Sequence, residues 1–315
     1  MIYIIIISAV LIRGVVIASS ICERILCTPE RLDRDHEFEY LLNYGYDIKK
    51  VYESVTFNEF SMDVPNGYCL KGVVIPPDGP SPFEDGRKRA IILVHGRTAN
   101  RYTMLSHGEI WHRLGFYVVI YEQRAHGESG GADCSMGYYE AQDLEYLANE
   151  IKKTFPEDTV WGLGGESMGA ATLMIAAEKL PWLSFIYEDG GYTDLRTEVA
   201  PSLYYKAKLP RFPFTPLVIF FFNRRHEFSI DDVRPIDSVR KIKAPMLFVH
   251  GGDDRFVPTP NVYKLYEAKE GPKDIKVFEG TPHVKAVLMH HEEYFEMLKD
   301  FCIKYEIIKE DAQNE

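Results

Sequence analysis

The stretch Gly165-Glu166-Ser167-Met168-Gly169 is where this sequence is best equipped for chemistry. A serine hydroxyl is a weak nucleophile unless it stands exposed on a sharp turn with a base beside it. Here the serine follows an apolar run at 159–164 (TVWGLG) and opens a helix-like stretch at 168–180. Glycines flank it where side chains would crowd the turn. A helix that starts at the next residue aims its free N–H groups and dipole at any negative charge developing there. The pattern therefore predicts Ser167 as an acyl-transfer nucleophile, with the Met168 N–H as one oxyanion donor.

The base and the group that orients it must come from elsewhere. On a strand–turn–helix corner of this kind the acid and then the histidine follow the serine in sequence. The late histidines are His250, His283, His290 and His291. His250 ends a strand ahead of the best acid, and His290 and His291 fall within the last helix-like stretch. His283, in the loop Gly280-Thr281-Pro282-His283 after the last strand, is the expected base. The acid is expected after the preceding strand, in GGDDRFVP at 251–258. Its D-x-x-V-P spacing favours Asp254, with Asp253 the competitor that would cap the loop. The second oxyanion donor is expected from the loop His95-Gly96-Arg97, as the Arg97 N–H, with the Arg97 side chain exposed. His126 precedes Ser167 and reads as part of a structural turn; His107 and His112 read as helix-surface residues.

These side chains need a scaffold. Residues 54–63 and 68–75 alternate enough to be strands, with Pro65-Asn66-Gly67 as the turn between them. Short, continuous apolar runs then recur at 90–95, 116–121, 159–164, 183–188, 245–250 and 275–278. Such runs fit strands buried on both faces of a parallel sheet. Helix-like stretches at 98–114, 138–154, 168–180, 260–269 and 286–305 lie between and after them. Alternating β and α predicts a mostly parallel, doubly wound α/β sheet with helices on both faces. The interval 190–243 exceeds what a crossover needs and contains LVIFFF at 217–222. It reads either as a small cap insertion over the strand ends, where ligands bind in such sheets, or as a helix packed in the core.

Composition narrows the class. The chain has 315 residues, 46% hydrophobic, and a net charge of −11, which argues against a nucleic-acid partner. Its five cysteines are scattered and odd in number, so neither a disulfide framework nor a structural zinc site is expected. Residues 1–21 (MIYIIIISAVLIRGVVIASSI) are long enough to span a bilayer. Arg13 costs about 2.5–3.5 kcal/mol at the centre of such a span, against about 4–7 kcal/mol returned by the apolar residues. An uncleaved membrane anchor is the leading expectation. The rivals are a signal segment cut near residues 18–20, and a hydrophobic helix packed on the protein. Arg24, Arg31 and Arg34 would place the main domain in the cytoplasm, and a cleaved signal would reverse that. The expected division is thus 1–21 anchor or signal, 22–53 linker and approach helix, 54–306 catalytic domain with an insertion at about 190–243, and 307–315 tail.

Taken together, His95-Gly96, the R-x-H-G-x-S-G-G string at 124–131, GESMG, GGDDRFVP and Pro282-His283 resemble the α/β-hydrolase superfamily, in its order and over about residues 50–305. In detail the chain resembles the YqkD-like hydrolases, near the serine aminopeptidase S33 and Bem46-like groups. The resemblance implies an α/β-hydrolase fold, esterase-like or peptidase-like activity on a small acyl ester or short peptide, and no cofactor. A hydrolase scaffold that only binds ligand is the third possibility, because fold does not dictate function.

Overall fold

The computed structural model describes residues 2–79, 83 and 85–309. In chain order, α1 (Ile2–Cys27), α2 (Arg34–Asn43) and α3 (Ile48–Ser54) precede a hairpin of β1 (Asn58–Val64) and β2 (Tyr68–Ile75). Next come β3 (Arg89–Val94), α4 (Leu105–Arg113), β4 (Tyr117–Tyr121), α5 (Tyr138–Lys152), β5 (Val160–Glu166), α6 (Met168–Ala177) and β6 (Phe185–Asp189). Three helices, α7 (Leu195–Ala207), α8 (Arg211–Arg225) and α9 (Pro235–Val239), intervene before β7 (Met246–Gly251). The chain continues through α10 (Pro260–Ala268), β8 (Lys273–Phe278), α11 (Ala286–Met289) and α12 (His291–Lys304).

The eight strands form one sheet in the order β1-β2-β4-β3-β5-β6-β7-β8. From β4 to β8 every pairing is parallel, and β1 and β2 join antiparallel at one edge. This is the mostly parallel α/β sheet with helices on both faces that the apolar runs predict. The inner strands β3 to β7 are buried because each face meets helices, while β1 and β8 at the edges are more open. On β3, Ile91 and Leu93 join Trp111, Phe116 and Phe185 on one side, while Ala90, Ile92 and Val94 join Leu144, Leu163 and Phe248 on the other. The glycines of β5 have a packing reason: the rings of Phe185 and Tyr187 lie where a Cβ on Gly162 or Gly164 would be.

Two helix boundaries differ from expectation. α4 begins at Leu105 rather than 98, and Thr98 sits at φ 60°, which no right-handed helix accommodates. The last helix-like stretch breaks at His290 into α11 and α12. The tail expected at 307–315 lies outside the described residues from 310 onward.

The membrane anchor, and with it the membrane partner and membrane-associated location, must be corrected. Among the described residues no helix is long and apolar enough to cross a membrane. Arg13 interrupts the apolar run of α1, and Glu23 and Arg24 end it. Ile7, Val10, Leu11 and Ile12 are exposed on its first half, but its second half is committed to protein contacts. Glu23, 1% exposed, contacts the guanidinium of Arg225 and lies 3.2 Å from His226 Nε2 at the end of α8. Hydropathy counts apolar residues without telling which partner they face.

Candidate active site

β5 delivers Ser167 and α6 leaves from it. Ser167 adopts φ 53° and ψ −120°, a strained conformation for a residue with a side chain. Its neighbours hold it there. Ser167 N–H donates to Asp189 O at 2.8 Å, and Ala171 N–H donates to Ser167 O at 3.0 Å. A Cβ on Gly165 would stand 2.6 Å from Val94 O, and one on Gly169 would stand 2.5 Å from His95 O and closer still to Val94 O. Only glycine lets the end of β3 approach the corner this closely.

The loops after β7 and β8 bring the other expected residues to that corner. His283 Nε2 lies 2.9 Å from Ser167 Oγ, and His283 Nδ1 lies 2.6 Å from Asp254 Oδ2. Asp254 Oδ1 accepts the N–H groups of Phe256 and Val257, both at 2.9 Å. Burial would raise the Asp254 carboxyl, but hydrogen bonds from His250 and His283 hold it down at about 2. Asp253, the competitor, turns outward and pairs with Arg255 at 3.2 Å.

Arg97 and Met168 line the same cavity as Ser167, and no hydrogen bond from either N–H is found among the described residues. The Arg97 side chain departs from expectation: instead of facing solvent it donates to carbonyls at the end of α1, with Nε 2.8 Å from Leu26 O.

Several residues at the site were not legible as such. His250 Nε2 lies 3.2 Å from Asp254 Oδ2, so it is a second imidazole on the acid. His107 is fully buried rather than on a helix surface. Its Nε2 stands 3.6 Å from Glu166 Oε2, and its Nδ1 lies 3.1 Å from the Tyr187 hydroxyl. No spacing rule links an acid to a histidine sixty residues away. His126 does occupy a turn: its Nδ1 meets Arg124 O at 2.8 Å, and its Nε2 accepts Thr98 N–H at 3.3 Å.

The serine opens into a cavity of about 710 Å³. Leu203 and Val218, from the helices between β6 and β7, form part of its wall, with Phe256 beside His283. The opposite wall comes from the segment before β1: Leu26, Leu32, Tyr40 and Leu41. The lining is largely apolar. Its acids are Glu166, kept low by His107 against burial, and Glu37 and Glu198, both raised by burial, Glu37 to about 7. Elsewhere, Glu23, Cys27 and His226 bring donor atoms within 4.8 Å of one another, but the Arg225 guanidinium already neutralises that carboxylate.

An antiparallel hairpin on a mostly parallel sheet, with a serine on a strained corner after β5, defines an α/β hydrolase. Residues 85–183 match the family model described as "Serine aminopeptidase, S33". The chain is 30% identical to the Bacillus subtilis protein YqkD over 260 residues, which is 82% of this chain and 83% of that one. The chain belongs to the family of YqkD within the α/β hydrolases. Its fold is also similar to that of the esterase Pf2001 of Pyrococcus furiosus: TM-score 0.66 at 22% identity, covering 88% of this chain and 97% of the esterase. An acylaminoacyl peptidase of Pyrococcus horikoshii is similar at TM-score 0.62 and 16% identity, over 85% of this chain and 44% of the peptidase.

Proposed function

We propose that this chain is a serine hydrolase that cleaves carboxylic esters through an acyl-enzyme. The observation that carries the reading is His283, whose two nitrogens lie 2.9 Å from Ser167 Oγ and 2.6 Å from Asp254 Oδ2 at the floor of the cavity. In this reading His283 removes the Ser167 proton as the oxygen attacks the ester carbonyl. The Arg97 and Met168 N–H groups receive the oxyanion. The imidazolium, held by ionised Asp254, then protonates the departing alcohol, and water enters by the same route to release the acid. The apolar wall contributed by the region at about 190–243, read as a cap, suits an acyl chain. No step calls on a cofactor.

A peptidase of the aminopeptidase type is the second reading. Two buried carboxyls in the cavity wall, Glu37 and Glu198, favour it, since a substrate ammonium entering beside either would draw that carboxyl into its ionised form.

Ser167→Ala should lower p-nitrophenyl ester turnover by about 10⁶-fold. A fluorophosphonate should label the unmutated chain and not the variant. Unchanged turnover in the variant refutes the assignment of Ser167. A folded chain that takes no label is a binding protein on this scaffold, and faster cleavage of aminoacyl amides than of matched esters favours the peptidase.

A further inference from the structure

The last four carbonyls of an α-helix have no partner within the helix. In α1 all four are met, and most of the donors come from loops around the active site. Thr28 N–H donates to Arg24 O at 2.8 Å, and Cys134 N–H to Cys27 O at 2.8 Å. The Arg97 guanidinium donates to both Ile25 O and Leu26 O. A cation suits this position because the helix C-terminus carries partial negative charge.

Arg97 belongs to the loop that supplies one oxyanion donor, and that loop is weakly held by its own backbone. β3 ends at Val94, so no strand pairs with residues 96–98. The N–H attachments are long: Gly96 N–H to Glu166 Oε1 at 3.4 Å, Thr98 N–H to His126 Nε2 at 3.3 Å, and Ala99 N–H to Gly96 O at 3.4 Å, while the Gly96 and Arg97 carbonyls are met from within the loop, by His95 Nδ1 at 2.7 Å and Thr98 Oγ1 at 2.5 Å. Gly96 and the left-handed Thr98 flank Arg97. Among the bonds that tie residues 96–98 to other segments, the short ones are those of the Arg97 side chain, with Nε 2.8 Å from Leu26 O. The end of α1 is itself fixed, through Glu23, to Arg225 and His226 of the α8 region.

We propose that the Arg97 side chain is a positioning residue. It anchors the oxyanion loop to the C-terminus of α1 and so holds the Arg97 N–H toward the nucleophile. The N-terminal segment then serves the active site twice, as an apolar wall and as the anchor of a catalytic loop. The inference rests on the acyl-transfer reading above.

Arg97→Met keeps the backbone N–H and removes the anchor. Deleting an oxyanion donor costs about 10²–10³-fold in kcat. Loosening one without deleting it should cost roughly ten- to a hundredfold, with KM for p-nitrophenyl butyrate within about threefold of the unmutated value. Arg97→Lys, which keeps the charge but not the planar fork, should fall between the two. Millimolar guanidinium should restore part of the kcat of Arg97→Ala, which a merely structural role would not allow. The proposal is overturned if kcat of Arg97→Met stays within twofold of the unmutated chain. It is equally overturned if KM rises while kcat holds, or if guanidinium restores nothing. Should Arg97→Met not fold, Arg97→Lys and the guanidinium titration decide. An unmutated chain inert to both ester and fluorophosphonate defeats the acyl-transfer reading, and this proposal with it. Labelling with no kcat effect in the variants defeats this proposal alone.

Discussion

Gly169→Ala adds a single methyl group and tests how the nucleophile corner is packed. The added Cβ would meet His95 O at 2.5 Å and Val94 O closer still, whereas real Cβ atoms essentially never come within 3.0 Å of such a neighbour. Both neighbours are backbone atoms at the end of β3, so no side-chain rotation relieves the overlap. The start of α6 and the end of β3 must part by at least about half an ångström. Overpacking of this kind costs about 1–3 kcal/mol. The opposing effect is the better helix propensity of alanine, worth at most about 1 kcal/mol and less in a first turn, where few helical hydrogen bonds have formed. Strain therefore wins, and Tm should fall by roughly 1–5 °C for a chain of this size. Activity should fall further than stability. The displaced segments carry Met168 and lead into Arg97, the two proposed oxyanion donors. Because a misplacement of about 1 Å can cost 10²-fold, a shift of half that size should cost about tenfold in kcat. Thermal melting and p-nitrophenyl butyrate kinetics on the same preparation read both effects. A variant that melts at or above the unmutated temperature, with kcat within twofold, would refute the reasoning about this contact.

Asp254→Asn keeps an acceptor for the N–H groups of Phe256 and Val257 but offers His283 an amide. The imidazole then settles in the wrong tautomer, and kcat should fall by about 10⁴-fold with little loss of fold, as measured by kinetics and circular dichroism. Asp254 also predicts acid sensitivity. Its carboxyl titrates at about 2 when folded, against an ordinary 3.8, so folding favours the ionised form. That contribution, about 2 kcal/mol, is complete above roughly pH 4 and drains away as pH falls toward 2. Urea unfolding between pH 2 and 5 should show the unmutated chain losing stability more steeply than Asp254→Asn, and parallel curves would contradict it.

Local chemistry was legible in the sequence where geometry is local. The corner at Ser167 is written in five consecutive residues, since the glycines answer clashes with the adjacent strand. The core strands were legible because a strand buried on both faces must be apolar throughout, and the apolar runs at 90–95 and 245–250 correspond closely to β3 and β7. Pairings across long sequence separations were not legible. Nothing near His107 or Glu166 announces their contact, and nothing near Arg97 announces the carbonyls of Ile25 and Leu26. The most consequential misreading, that of residues 1–21, has the same cause. An apolar helix that packs on protein and one that spans lipid share a composition, and the buried pairing of Glu23 with Arg225 across two hundred residues has no sequence signature.

The buried acids around the nucleophile show what long-range pairing accomplishes. An oxyanion forming at Ser167 is a new negative charge in a low-dielectric site, and uncompensated carboxylates nearby would oppose it. Two acids at the corner stay ionised, each beside imidazole: Asp254 with His283 and His250, and Glu166 with His107. The other buried acids nearby are raised by desolvation, Glu188 to about 8, Glu37 to about 7, with Asp189 and Glu198 also moved upward, which favours their neutral forms. The negative charge retained at the corner is thus the charge that hydrogen bonds to histidine stabilise. Under the proposed mechanism only the Asp254 charge acts on the base. Replacing His107 would let burial raise Glu166, and replacing His250 would let it raise Asp254, so both histidines, absent from any motif, belong to the electrostatics of the site.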